Sequence, residues 1–102
     1  MRLDVYEHPD RRSRQAFPFV VQLQSDIADG ETRIAAPLVS AALAGRGPTR
    51  TLHAVLHDGS EYLVATTMMG TVETRALRRS VGSVMAWHDD IARALDRLFY
   101  GI

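Results

Sequence analysis

The amino-acid sequence predicts an α+β domain, built of several antiparallel strands or a small barrel and followed by one amphipathic helix. Over most of the chain, short runs alternate between apolar and polar residues, as strands with one buried face do. Two of these runs are joined by Asp58-Gly59, a favoured hairpin turn, and the last part of the chain changes to helical spacing. With 102 residues, 46% of them apolar, we expect one core and a single domain over residues 1–102.

The first two strands are predicted on either side of a polar segment. Residues 2–6 alternate between polar and apolar side chains, which indicates a strand. Residues 8–14 contain one proline and three arginines and interrupt that pattern. The alternation returns over residues 17–24, which predicts a half-buried strand, and Pro18 places this strand at a sheet edge or marks its start.

The middle of the chain predicts a short strand followed by a short helix. Residues 33–36 form a candidate strand that Pro37 stops. Residues 38–44 are small and apolar enough for one or two helical turns, which Gly45 would end.

A β-hairpin is predicted around Asp58-Gly59. The runs at 52–56 and 62–67 have β-type composition. Both central positions of a type I′ turn need a positive φ, which this dipeptide accepts. Residues 71–77, after Gly70, are predicted to form another strand.

One amphipathic helix is predicted from about residue 84 to 99. Its apolar residues recur at three- and four-residue spacing, and charged residues occupy the rest of the helical wheel. Ser83 is a suitable N-cap, and Gly101 lies where a C′ glycine would end the helix. The apolar positions are Val84, Trp87, Ile91, Ala94, Leu95 and Leu98.

The composition excludes several classes of function. The 12 basic residues, all arginine, balance 12 acidic ones, so the strongly positive field of a typical nucleic-acid-binding protein is missing. Without cysteine there are no disulfides, thiolate zinc sites or cysteine nucleophiles. Without lysine there is no Walker A phosphate loop and no Schiff-base chemistry. We find neither a membrane span nor a signal peptide in the sequence, and we expect a cytoplasmic protein.

No arrangement of residues indicates catalysis or metal binding. His53 and His57 are four residues apart, but they fall in a predicted strand, where a zinc site would need further ligands from elsewhere. No serine lies in a G-x-S-x-G frame. Asp89 and Asp90 are neighbours on a helix, so they point about 100° apart and are poorly placed to share one substrate. We therefore expect no enzyme, no metal and no cofactor.

The end of the helix is the one feature that suggests an interaction surface. Residues 99–102, Phe-Tyr-Gly-Ile, combine two aromatic rings, a glycine and a β-branched residue. Such a tip either inserts into a partner or closes an ordinary hydrophobic contact over Gly101. The residues alone leave both interpretations open.

A family resemblance is carried by several segments that occur in order and at matching distances. They are Phe19–Asp26 (FVVQLQSD), Arg33–Leu38 (RIAAPL), His57 with Gly59, Thr66-Thr67-x-Met69 and the terminal Gly101-Ile102. Together they resemble the CcdB family, toxins of type II toxin–antitoxin modules. The likeness extends over nearly the whole chain, and its most specific part is VQLQSDI at residues 21–27.

This resemblance implies a fold, a target and partners. The fold is an SH3-like antiparallel barrel with a C-terminal helix, and the protein is a homodimer whose helix residues are divided between core and dimer interface. The target is the A subunit of DNA gyrase, and the toxin traps the complex of gyrase with cleaved DNA. A partly disordered, CcdA-like antitoxin neutralises it. Operator DNA is reached through the antitoxin only, in transcription regulation by the pair.

The resemblance also implies which residues face these partners. The polar loop carries an insertion relative to the family, and its Arg11, Arg12 and Arg14 are candidates for holding an acidic or amphipathic antitoxin segment, with a solvated loop as the alternative. The gyrase-facing surface is built from the end of the helix and the segment after QSD. The matching positions are Tyr100, Gly101, Ile102, Asp96, Asp89, His88, Ile27 and Ala28.

Two departures from the family keep alternatives open. The family has tryptophan where this chain has Tyr100, and asparagine where it has Asp96. A tyrosine ring still stacks on an arginine, with less area than tryptophan. One alternative is therefore a decayed toxin that retains only antitoxin binding and autorepression. The other is an endoribonuclease resembling the MazF family, which shares a related barrel and uses an arginine and a hydroxyl.

Overall fold

The computed structural model describes residues 2–24, 30–44 and 52–101. Within these ranges, the strands join into one antiparallel sheet in the order β4-β5-β3-β2-β1-β7, with β6 pairing to β3. The strands are β1 (Asp4–Glu7), β2 (Phe19–Gln22), β3 (Thr32–Ser40), β4 (Leu52–His57), β5 (Ser60–Ala65), β6 (Gly70–Glu73) and β7 (Gly82–Ser83). The helices are α1 (Ala41–Ala44) and α2 (His88–Tyr100). The sheet is nearly closed, which confirms the predicted α+β fold with a small antiparallel barrel and a C-terminal helix.

The long strand β3 corrects the prediction that Pro37 ends a strand. β3 pairs with β2 along one edge, while its other edge pairs first with β6 and then with β5. The N–H of Leu23 donates to the carbonyl of Ile34 over 2.9 Å, and hydrogen-bonded pairs alternate along an antiparallel ladder. The nitrogen of Pro37 therefore points away from β2, to the place where β3 changes partner, and a missing N–H is tolerated there.

The predicted hairpin is confirmed, but the elements after it are shorter than predicted. Asp58 and Gly59 have φ values of 50° and 78°, as a type I′ turn requires. β5 ends at Ala65, before a 3₁₀ turn at Thr66–Met68. β6 ends at Glu73 rather than at residue 77, because a second 3₁₀ turn follows at Thr74–Ala76. Likewise the helix predicted over 38–44 begins only at Ala41, since residues 38–40 pair with β5.

The first two strands are buried on both faces, which corrects the prediction of a half-buried strand over 17–24. Val5 and Val21 belong to the main core. Their chain neighbours Tyr6 and Val20 belong to a second apolar cluster, which Leu77 joins from the segment after β6. Alternate side chains thus enter two cores, and the sheet needs apolar residues on both sides.

Helix α2 begins after a 3₁₀ turn at Met85–Trp87. α2 starts at His88, with Trp87 at its N-cap and no side-chain capping hydrogen bond, so the predicted start near residue 84 and the predicted N-cap at Ser83 are wrong. The Oγ of Ser83 instead accepts a hydrogen bond of 3.2 Å from the backbone N–H of Met85, at the start of the 3₁₀ turn. Gly101 ends the helix in the left-handed conformation, with φ at 73° and its N–H 3.0 Å from the carbonyl oxygen of Arg97. The helix packs on the barrel through Ile91, which is 1% exposed, and through Ala94.

Candidate functional site

The C-terminal end of α2 presents two exposed aromatic rings. Phe99 is 63% exposed and Tyr100 is 76% exposed. They are the last two residues before Gly101, whose left-handed conformation ends the helix. Large apolar side chains are normally buried, so a pair of them at a helix end is a candidate contact surface.

Three predicted site residues share the exposed face of α2. Asp89, Asp96 and Tyr100 are separated by seven and four residues, so at about 100° per residue they lie on one side of the helix. Ile91 points to the opposite side and into the core. The structure therefore brings two carboxylates and one aromatic ring together along about 16 Å of a single helix face.

His88 lies at the start of the helix and links it to the sheet. Its Nε2 is 3.1 Å from Nη1 of Arg2, and its Nδ1 is 3.0 Å from Oδ1 of Asp89. A guanidinium has no acceptor, so Nε2 accepts and the neutral ring carries its proton on Nδ1, which donates to Asp89. Nε of Arg2 also donates to the carbonyl of Leu23 over 3.2 Å. Arg2 thus fixes the helix start against the end of β2.

Of the predicted gyrase-facing residues, Ile27, Ala28 and Ile102 lie outside the described residues. The described parts of that surface are His88 at the start of α2, the face of α2 that carries Asp89, Asp96 and Tyr100, and Gly101.

The loop after β1 holds the three arginines predicted to bind an antitoxin. Asp10 organises it: Oδ2 accepts from the Ser13 hydroxyl over 2.9 Å, and Oδ1 accepts from the Arg12 backbone over 3.1 Å. These hydrogen bonds, the one from Ser13 first, lower the pKa of Asp10. Nε of Arg14 donates to the carbonyl of His8 over 2.6 Å, and Arg11 and Arg12 are exposed.

His8 is held in its neutral form by the same loop. Its Nδ1 accepts a hydrogen bond of 3.1 Å from the backbone N–H of Asp10. Burial lowers the pKa of His8; the carboxylate of Asp10 opposes this shift and the guanidinium of Arg14 adds to it.

A cleft of about 720 Å³ separates this loop from the segment after β6. The loop contributes Arg11 and Arg14 to its lining, and the segment after β6 contributes Arg78 and Arg79. Arg78 and Arg79 were not predicted as site residues. Their adjacent positive charges are visible in the sequence, but only the tertiary structure places them in one cleft with the loop.

His57 is buried and packs against aromatic side chains. It is 9% exposed, and its ring centroid lies 4.7 Å from that of Phe19 in an edge-on arrangement. Tyr62 also packs edge-on against Phe19, with ring centroids 5.7 Å apart. Gly82 lies directly against the His57 ring, where a β-carbon would be 2.7 Å from Cε1.

The described residues offer neither a metal site nor a membrane-spanning helix. No group of three or more histidine, cysteine, aspartate or glutamate side chains is arranged to hold a metal ion there. In the same ranges, every helix is too short or too polar to cross a membrane.

The structure defines the class of the protein: a small antiparallel β-barrel followed by a C-terminal helix whose end carries exposed aromatic side chains. Comparison with protein families identifies the class more closely: the model of the CcdB protein family matches residues 2–101. The chain belongs to the CcdB family, and it is accordingly a toxin of a toxin–antitoxin system.

Proposed function

We propose that this toxin acts on the A subunit of DNA gyrase and traps the complex of gyrase with cleaved DNA, without being an enzyme itself. Family membership supports the proposal. The single observation that carries it is the exposure of Tyr100, 76% of whose surface is open to solvent at the end of α2. A poison of this kind works by binding one state of its target more tightly than the others.

The chemistry of the exposed helix face suits a basic partner surface. Asp89 and Asp96 supply carboxylates for arginine or lysine, and the ring of Tyr100 supplies a face for a cation. Aromatic anchors at a protruding tip are typical binding hot spots. Gly101 stops the helix directly after the ring, so no further helical turn covers it.

The proposal includes partners and a cellular location. The toxin acts as a homodimer in the cytoplasm, so two helix tips face one gyrase. A CcdA-like antitoxin neutralises it, with Arg11, Arg12 and Arg14 among the contacts, and the pair regulates its own transcription through DNA bound by the antitoxin.

The test is a supercoiling and DNA-cleavage assay with purified gyrase. Wild-type protein should inhibit supercoiling and accumulate cleaved DNA. Tyr100→Ala should weaken inhibition by about tenfold or more, because it removes an exposed hot-spot ring and nothing from the core. Leu56→Ala, once shown to sediment as wild type does, is the matched control, since Leu56 is also exposed but lies on β4. Tyr100→Trp should keep or increase inhibition.

The outcomes distinguish the alternatives. Full inhibition by Tyr100→Ala contradicts the proposed contact. Specific fragments after incubation with total RNA would support an endoribonuclease instead. Normal antitoxin binding with no gyrase affinity by calorimetry would establish a decayed toxin.

A further inference from the structure

We propose that the arginine-lined cleft beside β1 binds an acidic peptide segment that carries an apolar side chain between its carboxylates. The cleft brings together two stretches of chain that are far apart in sequence, residues 8–14 and 75–79. Each stretch contributes three arginines, so these two stretches hold half of the 12 in the protein.

Both walls of the cleft are held in place by the fold. On one side, the N–H of His8 donates to the carbonyl of Pro18 over 3.0 Å, and Arg14 donates to His8 as described above. On the other side, Leu77 is buried in the second core, and the N–H of Val81 donates to the carbonyl of Val5 over 2.7 Å. Arg78 and Arg79 lie between these two anchors, so the cleft exists before a ligand arrives.

The charge of the cleft is not neutralised within the described part of the chain. Four arginines line it against one acidic residue, Glu7. Among residues 2–24, 30–44 and 52–101, no hydrogen bond or ion pair holds the side chains of Arg11, Arg78 or Arg79. Planar guanidinium groups from two chain segments in one cleft suit carboxylates, which they bind in bidentate fashion.

The rest of the lining favours a peptide over a nucleic acid. Val81 is exposed and lines the cleft together with the arginines, so it offers an apolar contact beside them. The lining has one aromatic residue, Tyr6, and it is only 8% exposed, so no ring face is open for base stacking. The zero net charge of the whole chain also gives no long-range attraction for a polyanion.

The natural ligand of this cleft would be an acidic segment of the antitoxin, and this assignment rests on the proposed function. It widens the predicted antitoxin contact from one loop to a two-walled site that includes Arg78 and Arg79. The existence of an acidic-peptide site does not depend on gyrase.

The experiment measures peptide binding to the full chain by fluorescence anisotropy. The probe is a short labelled peptide with glutamates on both sides of a central leucine, and the matched peptide has glutamine in place of each glutamate. The double variant Arg78→Gln/Arg79→Gln removes one wall. Arg93→Gln/Arg97→Gln removes the same charge from α2 and serves as the control. Circular dichroism checks that all variants fold, and a gyrase assay is run on each.

The acidic peptide should bind wild type and the α2 control alike, and it should bind the cleft variant about tenfold more weakly or worse. The glutamine peptide should bind weakly to all three. Equal binding to both variants, or no binding to wild type, overturns the inference, and so does tighter binding of single-stranded RNA or duplex DNA through the same arginines. Gyrase inhibition should be unchanged in the cleft variant. If wild type binds the acidic peptide but does not inhibit gyrase, the proposed function is refuted and the acidic-peptide site is not.

Discussion

At the scale of the residue, the absence of a β-carbon at Gly82 leaves room for the buried ring of His57. Gly82 on β7 lies so close to His57 that a β-carbon would be 2.7 Å from Cε1 and 2.8 Å from Nδ1. His57 in turn is wedged edge-on against Phe19. A glycine at this position therefore serves close packing, and its φ lies outside the left-handed region.

The variant Gly82→Ala should lower the free energy of unfolding by about 1–3 kcal/mol, because the added methyl would lie 2.7 Å from the His57 ring and push it out of its edge-on packing with Phe19. Thermal unfolding should show a melting temperature about 4 °C or more below wild type. Gly70→Ala is the matched control, since nothing lies within 4 Å of its β-carbon position. A loss of stability in Gly70→Ala equal to that in Gly82→Ala would contradict the packing argument. His57→Ala combined with Gly82→Ala should cost less than the sum of the two single changes.

At the scale of the element, the loop over residues 8–14 is held by hydrogen bonds that require a neutral His8 and an ionised Asp10. The neutral Nδ1 of His8 accepts from the backbone of Asp10, and the ionised Asp10 accepts from Ser13 and Arg12. Both residues have a lowered pKa in the folded chain. Each therefore contributes stability that is complete above its unfolded pKa and is lost as the pH falls through its folded pKa.

The folded protein should accordingly lose stability as the pH falls from about 7 to about 5, since the unfolded chain binds a proton at His8, near pH 6.5, before the folded chain does. Urea unfolding of wild type and His8→Gln across this range measures the effect, and the variant should show a smaller pH dependence. An NMR titration of the His8 ring should give a midpoint below 6.5. A midpoint at or above that value would show that the ring is not held neutral.

At the scale of the whole molecule, several large apolar side chains stay exposed on the described part of one chain. Leu56 and Val81 even line one shallow pocket together. The family resemblance implies a homodimer, in which part of this exposed surface would be covered. Apart from Phe99 and Tyr100 at the helix end, the exposed side chains are Ile34, Leu56, Met68, Val81 and Met85.

Sedimentation equilibrium at micromolar concentration should therefore give twice the mass of the chain. Tyr100→Ala should sediment as a dimer too, because Tyr100 is proposed to contact the target rather than the other subunit. A single species with the mass of one chain across the concentration range would contradict the homodimer.

Local patterns were enough to predict part of this molecule. The Asp58-Gly59 turn, the Gly101 stop and the buried stripe of α2 each depend on residues close together in the chain. For these features, the sequence by itself determined the outcome. The residues alone left the position of Tyr100 open, and the structure shows the ring exposed, on the side of α2 opposite Ile91.

The tertiary structure alone decided three other features. Strand β3 continues through Pro37 because two different strands share its other edge, and this cannot be inferred from a local run. Strand β2 is buried on both faces because Leu77, far along the chain, covers the second side. The basic cleft forms because the barrel brings the loop with Arg14 and the segment with Arg78 to one place on the surface. Contacts of this kind depend on which distant segments become neighbours, and hydrophobic periodicity carries no information about that choice.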